Sequence, residues 1–215
     1  MNAGVPRATT RERILRAAET VLGECGYHGT RLHDIASRVG IRKASLFHYF
    51  PSKEDLHRAV MEEWFGEIEQ VIRRALEGSG TPLEKVRSLA ETYVDMVMAH
   101  PDRTKILLRQ SLGDAPASHW PQEPQRLLRI VSDFIAEGQK ARMIAPIDPH
   151  ALVLSVVAMV AFFSTSAPVL APQWFGDPSN AESIKRVKRH VVGLMDRCLA
   201  VESQPRPAPS KRAAV

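Results

Sequence analysis

The sequence predicts an all-α fold of about nine helices, with a three-helix helix-turn-helix unit ahead of a larger helical region. Three observations support this prediction. Apolar residues recur at helical spacing along nearly the whole chain, and no segment shows the alternation typical of a strand. The excess of positive charge is also confined to the first quarter. Residues 1–53 hold nine Lys and Arg against four Asp and Glu, whereas residues 54–215 hold twenty of each kind.

The first two helices are separated by a glycine-rich stretch. Apolar residues at i, i+3, i+4, i+7 and i+8 between Ile14 and Leu22 predict a helix that ends within 23–29. Leu32, Ile35, Ala36 and Val39 predict a short second helix that is capped by Thr30 and ends at Gly40.

The third helix is predicted from about Lys43 to Tyr49, because the residue before Pro51 avoids helical backbone. Ser52 then caps a long helix. Six helices follow the helix-turn-helix unit. The first spans about 53–76, the second and third begin at residues 82 and 101, and the last three span 125–143, 149–167 and 179–200. The predicted domains are a helix-turn-helix domain at 1–52, a helical domain at 53–202 and a disordered, Pro-rich tail at 203–215.

The third helix interleaves basic and aromatic residues, which indicates a polyanionic partner. A helix this short buries little surface, so Leu46 and Phe50 are expected to anchor it and leave the other face free for the DNA major groove. Lys43 can donate to guanine, whereas Ala44 and Phe47 suit thymine methyl groups. The residue types that reach phosphates are Ser45, Tyr49 and Lys53. The alternative is that Phe47 and Tyr49 are simply core residues, which leaves the localised charge unexplained.

The stretch TRLHDIASRVGIRKASLFHYFPSKEDL resembles the DNA-binding region of the tetracycline-repressor (TetR) family of transcriptional regulators. The matching residues are Ile35-Ala36, Val39-Gly40-Ile41, Leu46, Tyr49-Phe50, Ser52-Lys53-Glu54 and Leu56. The motif spans 10–60, and the rest of the chain resembles the family only in length and in its run of six helices.

The chain departs from the family pattern at two positions. Phe47 stands where the family usually has tyrosine, so a hydroxyl contact to phosphate is lost there. Arg31 stands where a Ser or Thr cap is common, which makes it a candidate phosphate contact, and His33 lies at a position that some members use to touch a base. The predicted DNA-binding residues are Thr30, Arg31, His33, Arg42, Lys43, Ala44, Ser45, Phe47, His48, Tyr49 and Lys53.

The resemblance implies a homodimer on a palindromic double-stranded DNA operator, with its two recognition helices about 34 Å apart. Apolar runs in the last two long helices favour the same dimer, and the alternative is a monomeric helical core. The predicted dimer residues are Val153, Val157, Val160, Ile184, Val187, Val191, Leu194, Met195 and Cys198.

The resemblance also implies a pocket among the middle helices for a small-molecule effector that shifts the population of DNA-binding states. Candidate lining residues suit an apolar or aromatic effector, although core packing is the simpler interpretation for most of them. They are Trp64, Tyr93, Met96, Leu108, Trp120, Phe134, Met143, Phe162 and Phe163, with Tyr93, Arg109 or Gln110 as polar anchors.

Other function classes find less support. The eight histidines show no metal-binding spacing, and no nucleophile or phosphate-loop motif is present, so we expect neither an enzyme nor a metal nor a cofactor. Cys25 and Cys198 fit a reducing cytoplasm without a disulfide. The apolar run at 151–163 is too short to span a membrane. The remaining alternative is a helical carrier or scaffold whose basic head binds an anionic membrane.

Overall fold

The computed structural model describes residues 8–114 and 122–201. These residues form eleven α-helices and no strand, which confirms the all-α prediction. Nine helices have at least seven residues, as predicted, and two four-residue helices were not foreseen. We call residues 8–52 the head and residues 53–201 the body. The predicted tail at 203–215 lies outside the described residues.

The head consists of α1 (Thr10–Gly29), α2 (Leu32–Val39) and α3 (Lys43–Tyr49). Thr9 and Glu12 form a reciprocal capping box at the start of α1. Near its end, Gly26 adopts a φ of 71°, a conformation that favours glycine, and this residue kinks the helix. Gly40 ends α2 with a φ of 76°, and the Arg13 side chain donates to the Val39 carbonyl beside this turn.

The prediction that Thr30 caps α2 is wrong. The N-cap residue is Arg31, whose side chain makes no capping hydrogen bond. Thr30 is buried, and its hydroxyl instead donates to the Gly26 carbonyl at 2.6 Å. The kink at Gly26 exposes that carbonyl to Thr30, and nothing in the local sequence around Thr30 indicates the kink.

The body begins with a long helix that continues directly from the head. Four of its helices begin at a side chain that caps them: Ser52, Thr81, Asp148 or Asn180. The helices are α4 (Lys53–Glu77), α5 (Pro82–Ala99), α6 (Pro101–Ser111), α7 (Glu123–Lys140), α8 (Pro149–Thr165), α9 (Ala167–Leu170), α10 (Pro172–Phe175) and α11 (Ala181–Leu199).

Packing within the body follows the apolar faces of these helices. α5 lies between α4 and α11, α7 packs on α4 and α8, and α6 packs against α1 of the head. Gly23 of α1 faces α6 so closely that a β-carbon there would lie 2.7 Å from the β-carbon of Asp102. Head and body therefore meet at a tight contact between α1 and α6, as well as through α4.

Two helix boundaries differ from the prediction. α7 spans Glu123–Lys140 rather than 125–143, because Arg142 turns the chain with a φ of 58°. α8 ends at Thr165, and the segment that follows forms α9 and α10. Both short helices begin with a proline in their first turn, as proline's fixed φ favours.

Candidate DNA-binding surface and internal cavity

α3 is anchored by two apolar residues and exposes the rest of its surface. Leu46 and Phe50 are buried in the same core cluster as apolar residues of α1 and α2, as their spacing predicts. Phe47 and Tyr49 are 40% and 45% exposed, so the alternative that they are core residues is wrong. Arg42, Lys43, Ala44 and His48 are also exposed, and Ser45 is half-buried. A short helix thus presents basic, small and aromatic side chains on one free face.

The charges around α3 are a mixture of free and paired groups. Arg31 and His33 are exposed at the start of α2. Lys43 lies over the Phe47 ring at 5.7 Å. Lys53, predicted as a phosphate contact, instead donates to the Thr30 carbonyl at 3.0 Å and lies 4.5 Å from the centre of the Tyr27 ring. Its ammonium group is thus already held inside the head.

The sequence interpretation missed basic residues on α1. Arg11, Arg13 and Arg16 are exposed, and the Arg11 guanidinium lies 5.5 Å from the Phe50 ring that anchors α3. In contrast, Arg38 of α2 is paired with Glu24 at 2.6 Å. The charge count of the sequence indicated a positive head. The fold adds that these arginines are exposed and that Arg11 lies beside the residue that anchors α3.

Polar contacts also fasten the head to α6. The Asp114 carboxylate accepts from the Tyr27 backbone N–H at 2.7 Å, directly after the kink at Gly26. Arg109 donates to the Glu24 carbonyl at 3.4 Å. Arg109, predicted as an anchor for an effector, therefore faces α1.

A cavity of about 150 Å³ lies among the middle helices of the body. Its walls come from α4 through α8 and from α11, and no charged side chain lines it. The lining residues are Trp64, Phe65, Ile68, Val71, Ile72, Val86, Leu89, Ala90, Tyr93, Val97, Thr104, Leu107, Pro124, Leu127, Leu128, Val131, Ile135, Leu152, Val153, Val156, Val157, Ala161 and Met195. The cavity is therefore suited to hydrocarbon.

Two hydroxyl groups interrupt this apolar lining. Tyr93 of α5 and Thr104 of α6 both line the cavity, and neither has a hydrogen-bond partner among the residues that the structure describes. Burial raises the pKa of the Tyr93 phenol well above its ordinary value, so it stays a neutral donor. These two groups can supply hydrogen bonds to a neutral compound in the cavity.

Most of the predicted pocket residues lie elsewhere. Trp64 and Tyr93 line the cavity, whereas Met96 and Phe134 pack beside the core outside it. Exposed side chains account for another group: Leu108, Arg109, Met143 and Phe162. Phe163 packs against Phe175, with ring centres 5.1 Å apart. Gln110 is buried without lining the cavity, and Trp120 lies outside the described residues.

The predicted dimer residues are largely used within the chain. Val160, Val187, Val191 and Met195 are buried, so they cannot face a partner, and this part of the prediction is wrong. The stripe on α11 is covered because α5 packs against it. Val153 and Val157 line the cavity, Ile184 and Leu194 are half-buried, and Cys198 is exposed.

α8 nevertheless has an exposed face of apolar and small residues. Leu154 and Phe162 are 57% and 50% exposed, and Ala151 and Ala158 are exposed on the same side. Within 8–114 and 122–201, no helix is both long and apolar enough to cross a membrane. The same residues contain no cluster of three potential metal ligands.

Comparisons with known proteins identify relatives of both parts of the chain. A family model described as bacterial regulatory proteins, tetR family, matches residues 14–60, and one described as tetracyclin repressor-like, C-terminal domain, matches residues 79–165. The HTH-type transcriptional regulator RutR of Escherichia coli (strain K12) is 28% identical over 164 residues, which cover 74% of this chain and 75% of RutR.

Solved structures share the whole fold at low sequence identity. The ketosteroid transcriptional regulator KstR2 of Mycobacterium tuberculosis aligns with a TM-score of 0.72 at 19% identity, covering 93% of this chain and 98% of KstR2. AibR in complex with isovaleryl coenzyme A and operator DNA aligns with a TM-score of 0.68 at 18% identity, covering 86% of this chain and 97% of AibR. The helix order of head and body is therefore that of known regulators.

Proposed function

Because the chain belongs to the TetR family of bacterial regulators, we propose that it is a ligand-responsive, sequence-specific DNA-binding transcriptional regulator. We further propose that it is a repressor, released from its operator by a small apolar or aromatic effector. The observation that carries this proposal is α3, which is anchored by two buried residues and turns its basic and aromatic face outward. In this proposal residues 1–52 act as the DNA-binding domain and residues 53–202 as the effector and dimerisation domain.

The exposed face of α3 supports distinct roles for its residues. Lys43 reads a guanine edge, and Ala44 and Phe47 contact thymine methyl groups. Arg31 and Tyr49 contact phosphates, which position the head without reading sequence. Further contacts are assigned to His33, Arg42, Ser45 and His48. Thr30 and Lys53 hold the head together instead, since each is already hydrogen-bonded within it.

The cavity supports a neutral, hydrocarbon-rich effector with one or two hydrogen-bonding groups. An anion or cation would be buried there without a charged partner, at a large cost in free energy. Tyr93 and Thr104 are the groups that recognise its polar end. Proteins of the same fold include a ketosteroid transcriptional regulator and AibR, which binds isovaleryl coenzyme A; only the isovaleryl part of that ligand is a neutral apolar group.

The exposed face of α8 supports a homodimer in which this face meets its counterpart. A two-fold axis there would place two copies of α3 on successive major grooves, about 34 Å apart. The operator is then an inverted repeat. The dimer acts in the cytoplasm, where such an operator is found.

Selection of bound duplexes from a random library at about 150 mM salt tests this function. At this salt, contacts to phosphates alone give weak binding, so enrichment reports base recognition. We expect an inverted repeat whose half-sites are one helical turn apart.

Liposome co-sedimentation with anionic vesicles is the matched control. Recovery of no consensus sequence, together with tight binding to the vesicles, would contradict the proposed function. It would favour instead a helical carrier whose basic head binds membranes.

A further inference from the structure

Arg103 of α6 touches three residues that belong to two parts of the molecule. Its Nε donates to Glu19 of α1 at 2.7 Å, and its Nη1 donates to Glu67 of α4 at 2.5 Å. The guanidinium also lies 5.0 Å from the centre of the Trp64 ring. The side chains of Arg103 and Glu19 are only 10% and 16% exposed, so water screens this ion pair weakly, whereas Glu67 is 43% exposed.

The partners of Arg103 connect the cavity to the head. Trp64 is buried and lines the cavity, so a bound compound would touch the same indole that Arg103 lies against. Glu19 lies on α1, which packs against α2, and α2 in turn packs against α3. A displacement of Trp64 therefore acts on Arg103 directly, and Arg103 acts on α1 through its bond to Glu19.

Arginine is the residue type that this position requires. A planar guanidinium can stack on an indole while it donates in its own plane to two carboxylates, whereas an ammonium group lacks that geometry. Burial alone would lower the pKa of Arg103, but the hydrogen bonds and charges of Glu19 and Glu67 outweigh burial and raise it. The positive charge therefore stays in place between the two carboxylates.

The contact between α6 and α1 is close at one end and hydrogen-bonded near the other. The two helices approach closely at Gly23 and Asp102. Asp114 accepts from the Tyr27 N–H farther along the same contact. Because α1 is held against α6 at Gly23 and against the segment that follows α6 at Tyr27, we expect α1 to move with α6.

We propose that Arg103 is the positioning residue that couples the cavity to the DNA-binding head, through its simultaneous contacts with Trp64, Glu19 and Glu67. This inference rests on the proposed function and specifies how its two sites communicate. Coupling between two sites is reciprocal. If occupancy of the cavity changes DNA affinity through Arg103, DNA binding must change the affinity of the cavity by the same factor. We expect this change to alter the environment of Trp64, which lines the cavity.

Reciprocity allows a test that needs no effector. We would replace Trp120 and Trp174 with Phe, so that Trp64 is the single tryptophan, and titrate the protein with the selected operator duplex. A random duplex of equal length is the reference. We expect the operator to shift or quench Trp64 emission in a saturable way, because the charge beside the indole moves.

Two variants assign the response to Arg103. In R103K, and independently in E19Q, we expect the operator-induced change in emission to fall at least fivefold while the duplex still binds. R126K is the matched control, because Arg126 also pairs with a carboxylate of α4, Glu69, but makes no hydrogen bond or ion pair with Trp64 or α1 within 8–114 and 122–201. We expect R126K to keep the full change.

The outcomes separate the coupling from the function. Operator binding with no change in Trp64 emission, or a change that survives in both R103K and E19Q, would overturn the role of Arg103 and leave the proposed function standing. Failure of the protein to select any duplex would overturn the proposed function itself. Circular dichroism melts show whether each variant is folded. If R103K does not fold, E19Q still tests the contact between Arg103 and Glu19.

Discussion

The head and the body use aromatic residues in opposite ways. The head turns Phe47 and Tyr49 outward beside exposed basic residues, whereas the body turns Trp64 and Tyr93 inward around a cavity without charged walls. The first arrangement suits a large, hydrated polyanion, and the second suits a small compound stripped of water. One chain thus contains two sites of opposite polarity, joined by α4 and by the contact between α1 and α6.

The largest expected effect comes from removing the anchor of α3. Leu46→Ala should lower the free energy of unfolding by about 2–5 kcal/mol, because the Leu46 side chain is fully buried and its loss leaves a cavity. Urea denaturation followed by circular dichroism measures this change. Phe47→Ala is the control on the same helix, and as a surface substitution it should cost under about 1 kcal/mol. Equal costs for the two would mean that α3 packs with a different face inward.

The next effect concerns the exposed face of α8. Phe162→Asp should weaken dimerisation at least about tenfold, equal to about 1.4 kcal/mol, since an aromatic contact would be replaced by a desolvated charge. Sedimentation equilibrium measures the dissociation constant. Leu112→Asp is the control, because Leu112 is 87% exposed at the end of α6. If Phe162→Asp leaves the dissociation constant of the dimer unchanged, the dimer interface lies on another surface.

Within the head, base-reading and phosphate-binding roles can be separated. Lys43→Ala should cost about 1–3 kcal/mol at one operator position and relax the sequence preference there. Arg31→Ala should weaken all duplexes alike and reduce the slope of log affinity against log salt by about one unit. Fluorescence anisotropy at several salt concentrations, on the operator and on a random duplex, measures both. Equal losses on specific and random DNA for the two variants would refute the division of roles.

The contrast between head and body also explains what the sequence could predict. In the head, α3 has only seven residues, so the sequence leaves little choice about which side chains face the core. Leu46 and Phe50 are four positions apart, and both are buried there. The exposure of Lys43 and Phe47 then follows. Thr30 was misassigned because the partner of its hydroxyl is created by the kink at Gly26, which is a feature of α1 rather than of α2.

In the body, local patterns leave more choices open. The stripe that contains Val187 and Val191 was correctly read as an apolar face, but the sequence does not say whether α5 or a second subunit covers it. Phe162 and Phe163 are neighbours on an apolar helix, yet the first points to water and the second packs on Phe175. Nothing in the sequence indicated the role of Arg103, because its partners lie on two other helices, α1 and α4, that are distant from it along the chain.

The smallest effect concerns the unpartnered hydroxyl in the cavity. Above pH 10, the ordinary pKa of a tyrosine, the unfolded chain ionises Tyr93 while the native chain keeps it neutral, because burial raises its native pKa. This contribution to stability is therefore complete below pH 10 and is lost as the pH rises toward the native pKa. Between pH 10 and 11.5, wild-type stability should fall more steeply than that of Tyr93→Phe, by up to about 1.4 kcal/mol per pH unit.

Urea titrations at half-unit pH intervals measure this difference between the two proteins. Tyr27, whose pKa burial and Glu54 also raise, is present in both and cancels in the comparison. Below pH 9 the two stability curves should run parallel, and Tyr93→Phe should be no less stable, because the hydroxyl has no hydrogen bond to lose among the described residues. Curves that stay parallel up to pH 11.5 would mean that the hydroxyl reaches water, and the polar anchor of the effector would then have to be Thr104.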